Sequence, residues 1–261
     1  MTESSSNEPG GFIIPSLPSP SPSNASTSST SSNLPHPRSH PLKAGSAKED
    51  AARRYVEGRL LHISRRYAKK FQPLSENEST ELKGYESMKE VAKDLGEIVD
   101  VVWLSGTPSL QIPYLLNIAL SVTTYITAFP PSPRATFGLL RKLDHAFASL
   151  LKGEDSVTGE ILPGFSGGKR AGMTKTDMVR CKSLVEQTRV LVVDVMGKEP
   201  VLERDVDESD AETDIEMEST GWDTEAERYE MDVARAYEQT IEQLGELLEG
   251  SGNFQVAPSA S

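Results

Sequence analysis

Four histidines and one cysteine are the side chains here best suited to hold a metal or attack a substrate, and their spacing fits neither task. His36, His40, His62, His145 and Cys181 form no Cys/His cluster at the short intervals of a zinc site. No Ser, Cys or carboxylate is set beside His62 or His145 in an arrangement of nucleophile and base. His145, next to Asp144, reads as an exposed or boundary residue of a helix, and Cys181 falls on an apolar stripe as a buried, inert thiol. The run Gly164-Phe165-Ser166-Gly167-Gly168-Lys169-Arg170 invites comparison with a phosphate-binding loop. The match breaks at Pro163, where the first glycine should stand, and at Arg170, where a Ser or Thr should hold magnesium; no strand precedes it. These residues predict no enzyme, no cofactor, no metal and no small-molecule substrate.

Charge is the more informative chemistry, because it is sorted along the chain. Residues 199–261 hold 19 Asp and Glu against 3 Lys and Arg, so the net charge of −12 belongs to the tail. Asp205, Asp207, Glu208, Asp210, Glu212, Asp214, Glu216 and Glu218 lack the glycine bend and terminal glutamate of a calcium loop and read as a solvated spacer. Ser209 and Thr213 precede acidic residues, as acid-directed kinases favour. Arg53, Arg54, Arg59, Arg65, Arg66, Lys69 and Lys70 surround the apolar stripe of one helix and make a partner-binding candidate for acidic protein surfaces or an import receptor. A peripheral contact with anionic lipid fits the same residues. Nucleic acid is disfavoured, since the pI is about 4.9 and the tail competes for the cations that would meet phosphates. The acidic stretch 203–218 is expected to clasp Arg65, Arg66, Lys69 and Lys70 in cis.

These charges need elements to carry them. Residues 1–45, rich in Ser, Pro, Asn and Thr, cannot bury enough apolar surface to offset ordering entropy and read as a disordered arm. Val56, Leu60, Ile63, Tyr67 and Phe71 recur at helical spacing over Ala47 to Phe71. A second helix is expected from about Ser79 to Leu104, with Leu82, Tyr85, Met88, Leu95, Val99 and Val102 inward. The third, about Ile112 to Phe129, is apolar on nearly every side and uncharged; Pro residues bracket it to about the lower limit of a bilayer span, so a buried core helix is the better reading. Ser132-Pro133 opens a fourth helix that presents Phe137, Leu140, Leu143, Phe147 and Leu151 and closes at Gly153. After a glycine-rich loop, Thr174-Lys175-Thr176-Asp177 caps a fifth through about Val195. Residues 197–221 form the acidic linker and 250–261 a disordered tail. Between them, Trp222, Ala226, Tyr229, Val233, Ala236, Thr240, Leu244 and Leu247 alternate steps of four and three; Trp222, Tyr229, Val233, Leu244 and Leu247 are the candidate partner contacts of that helix.

The segment from Tyr85 to Leu162, above all Val102-Trp103-Leu104-Ser105-Gly106-Thr107-Pro108 and Leu139-Leu140-Arg141-Lys142-Leu143-Asp144, resembles a family of short fungal helical proteins, some labelled meiotic recombination proteins. The likeness spans about residues 40–195 and transfers no catalytic position. It implies an accessory role in recombination, because a strand-exchange recombinase needs an ATP-binding loop and an α/β core. The expected fold is all-α: an antiparallel bundle of five helices over residues 46–196 with a sixth, amphipathic helix at 222–249. The expected function is a noncatalytic adaptor or subunit of a nuclear or cytosolic assembly, with a membrane-peripheral tethering subunit as the alternative. With a single cysteine and no secretory leader, the nucleus or cytoplasm is the expected home.

Overall fold

Helix ends in this chain are written by their caps, and most fall where Ser, Thr, Pro and Gly place them. The computed structural model describes residues 34–71, 83–166, 172–197 and 230–249. It is all-α, with α1 (Ala47–Lys69), α2 (Met88–Leu104), α3 (Pro108–Ile126), α4 (Pro133–Lys152), α5 (Lys175–Met196) and α6 (Glu238–Glu249). The described residues contain no strand, only an isolated antiparallel bridge between Glu154 and Ile161 in the glycine-rich loop. Ser46 caps α1 by accepting from Glu49 N, and Thr174 with Asp177 completes a reciprocal capping box on α5. Gly153 ends α4 at φ 82, in the left-handed region that glycine enters without steric cost. The β-branched run at 190–195 stays helical, with Val192 inward and Val190 and Val193 in solvent.

Three boundaries differ from expectation. α2 starts at Met88 rather than Ser79, because Ser87 caps it; residues 79–82 lie outside the described set, and 83–87 form no regular element, with Tyr85 buried. α3 starts one turn early, at Pro108 in the first turn, where Thr107 O accepts from Leu110 N and Gln111 N; Pro113 is thus interior, on the exposed face. The last helix is not continuous: a helical turn over 230–234 is followed by a break at 235–237, where Tyr237 takes φ 58, before α6 begins. Residues 222–229 lie outside the description.

One core runs through the bundle, from Val56 and Ile63 of α1 to Leu244 of α6. α2 packs on α1, α3 and α4; α3 packs on α4 and α5; α6 lies across α4 and α5. α3 was expected to be the most enclosed helix, yet α4 is buried without interruption from Leu143 to Leu151, polar residues included. α3 instead shows solvent a full-length uncharged stripe of Ser109, Pro113, Asn117, Leu120, Thr124 and Thr127. Phe71, expected inward, is 64% exposed because α1 has ended at Lys69.

Candidate protein-interaction surface

The basic helix divides by face. Arg59 and Arg66 are seven residues apart and so lie on one side of α1, turned toward α2. Arg66 donates to Glu90 Oε2 at 2.6 Å, to Asp94 Oδ2 at 3.0 Å and to the Lys83 carbonyl at 3.0 Å, and its guanidinium carbon lies 3.9 Å from the centre of the Tyr85 ring. Arg59 donates to Glu97 Oε2 at 2.8 Å and reaches Asp94 Oδ1 at 3.5 Å. Tyr85 closes the group by donating to Asp94 at 2.5 Å; burial, then the Asp94 carboxylate, pushes its phenol pKa up. Lys70 sits at the end of α3, donating to the Ala128 carbonyl with its ammonium 3.7 Å from the Phe129 ring centre, a cation on a helix C-terminus. Arg53 pairs with Glu49 at 3.3 Å, one turn away. Arg54 and Arg65 face solvent, whereas Lys69 is half-buried. The acidic stretch 203–218, expected as their cis partner, lies outside the described residues; the carboxylates that meet this helix are those of α2.

The C-terminal contacts divide likewise. Trp222 and Tyr229 are outside the description, while Val233, Leu244 and Leu247 pack against the chain's own core. A carboxylate on α4 holds α6 there. Asp144 accepts from Thr240 N at 2.8 Å, from Thr240 Oγ1 at 2.7 Å and from Gln239 N at 3.4 Å, capping α6 from a distant part of the sequence. Burial pushes its pKa up, and the Thr240 hydrogen bonds oppose that rise. Arg189 donates to Ala236 O at 2.8 Å, and Arg141 meets Asp232 at 3.4 Å, fixing the break before α6. Cys181 lies beneath, its thiol pushed up to about 12 by burial and then by Asp144, consistent with an inert core residue.

His145 is a correction: it is buried, with Nε2 3.0 Å from Asp155 Oδ2. Asp155 also accepts from Val157 N and Thr158 N at 2.9 Å each; burial raises its pKa, but these donors and His145 together outweigh burial and leave it depressed. The pair therefore staples the loop after α4, with Ser149 accepting from Ser156 N at 2.9 Å beside it. Nothing in the local sequence signals this, since the loop must first fold back on α4.

An open groove of about 430 Å³ lies between α1 and α3. Arg53, Glu57, Leu60, Pro113, Tyr114 and Asn117 line it, and Tyr114 donates to Glu57 across it at 2.7 Å. It runs into the uncharged stripe of α3, where Leu120 is 44% exposed. The α3 stripe is uncharged, and Arg53 and Glu57 flank the groove beside it. Among the described residues no three or more His, Cys, Asp or Glu could together hold a metal, and no helix is long and apolar enough to cross a membrane.

The described residues fold as an all-α body, and the sequence matches a known family. The TFB6 family model, described as subunit 11 of the general transcription factor TFIIH, matches residues 84–245, and the chain belongs to that family. An uncharacterized protein of Schizosaccharomyces pombe is 30% identical over 156 residues, covering 56% of this chain and 82% of that protein. No solved structure matches. The meiotic label gains no support from either match.

Proposed function

We propose that this chain is a noncatalytic helical subunit of a nuclear protein assembly of the TFIIH kind, bound through protein–protein contacts. The observation that carries this is the family match, which spans α2 to α6 and so takes in the whole of the α3 stripe. The groove between α1 and α3, flanked by Arg53 and Glu57 and with the exposed Leu120 beyond it, supports a docked partner. The accessory meiotic role and the membrane-tethering alternative rest on the sequence likeness and on the basic helix alone. One experiment separates the three: capture of the tagged full-length chain from nuclear extract with mass spectrometry, alongside flotation with anionic vesicles. TFIIH subunits in near-stoichiometric amounts are expected, with no flotation. Recombination proteins without TFIIH subunits, or vesicle-bound chain, would overturn the reading. Leu120→Arg, a change at an exposed position, is expected to leave folding intact and to lower the yield of captured subunits.

A further inference from the structure

α1 lies outside the part of the chain that the family model matches. It precedes residue 84, where the family match begins, and residues 72–82, outside the described set, join it to the segment leading into α2. Its apolar anchorage is narrow: Val56 and Ile63 are its only fully buried apolar side chains, Leu60 is partly covered, and Tyr67 rests on the Tyr125 and Phe129 rings at 4.5 and 6.2 Å. Its ionic anchorage is specific. Glu90, Asp94 and Glu97 follow one another at steps of four and three along α2, matching Arg59 and Arg66 seven residues apart on α1. Arg66 enters a built socket of two carboxylates, the Lys83 carbonyl and the face of Tyr85. Such a socket reads a planar guanidinium with donors on both edges; a lysine ammonium cannot fill it. Part-exposed ion pairs also weaken with salt, whereas apolar packing does not.

We propose that the Tyr85/Glu90/Asp94/Glu97 face of α2 is a receptor for a basic amphipathic helix with arginines seven residues apart, and that α1 is its exchangeable resident. The occupant from outside is a partner helix of that chemistry, with apolar residues at the positions of Val56 and Ile63. This inference does not depend on the TFIIH reading, because its test uses this chain alone.

The probe is a fluorescent peptide of residues 46–71. It is titrated into the wild-type full-length chain and into a chain carrying Arg59→Ala and Arg66→Ala, whose own helix is a weaker competitor. The variant is expected to bind one peptide about tenfold or more tightly than wild type, since a larger fraction of its site is open. Binding should weaken in high salt and be lost with an Arg66→Lys peptide. Equal binding of the Arg66→Lys peptide, or no binding to a variant that circular dichroism shows to be folded, would overturn the proposal. Hydrogen exchange on wild type gives a second reading that needs no substitution. Amides of 47–69 are expected to exchange faster as salt is raised while those of α4 stay protected, and salt-independent protection equal to that of α4 would contradict an exchangeable helix.

Discussion

Asp144 and Asp155 show how neighbouring carboxylates can pull stability in opposite directions. Asp144 is held above the ordinary carboxylate value, so its contribution is full below its unfolded pKa and is lost as pH rises through the folded one. Asp155 is held below, so its contribution is full above the unfolded value and is lost as pH falls through the folded one. Melting temperatures measured on both sides of the ordinary value of about 3.9 should resolve them: Asp155→Asn flattens the acid-side fall and Asp144→Asn the decline above it. Parallel curves for the three proteins would reject this assignment. Asp144→Ala, which removes the cap of α6, should cost about 2–4 kcal/mol by denaturant unfolding. At Gly153 an added Cβ would sit 2.7 Å from Phe165 Cδ1 at a positive φ, so Gly153→Ala should cost about 1–3 kcal/mol in the same assay. Tyr237 is the converse case. Its buried hydroxyl has no hydrogen-bond partner among the described residues, so Tyr237→Phe should hold or raise stability, by up to about 1–3 kcal/mol.

The elements were legible where their boundaries are chemical and local. Ser132-Pro133 and Gly153 mark α4, and the Thr174/Asp177 box marks α5, because each cap is made within a few residues. The start of α2 was obscured because Ser79 and Ser87 are both acceptable caps, and only the docking of Tyr85 beside Arg66 selects the second. The break before α6 was illegible: a stepwise apolar pattern runs through it, and the carboxylate that restarts the helix lies on α4. The site divides the same way. The basic residues of α1 could be found by type, but which of them turn inward follows from the Glu90, Asp94 and Glu97 row, a signal present in the sequence and meaningful only once paired with Arg59 and Arg66. α3 tests the core. Leu116→Asp places an unpaired charge at a fully buried position and should abolish cooperative unfolding in calorimetry, whereas Leu120→Arg on the same helix should leave it unchanged.

At the scale of the molecule, the described part is one helical body whose last helix belongs to the core. The uncharged α3 stripe and the groove beside it are the surfaces on which the proposed subunit role would be tested. The acidic stretch and the phosphorylation candidates Ser209 and Thr213 lie outside the described residues, and the cis clasp on Arg65, Arg66, Lys69 and Lys70 is a proposal; a truncation ending at Lys198 would also delete α6, so charge-neutralising substitutions at Asp205 to Glu218 are the cleaner test. Membership of a nuclear assembly of the TFIIH kind is decided by sedimentation of the endogenous full-length protein in nuclear extract. The account predicts that it travels in one peak with TFIIH subunits, far ahead of a free 28.4 kDa chain. A single slow peak at the size of the free chain, with TFIIH subunits sedimenting elsewhere, would contradict it.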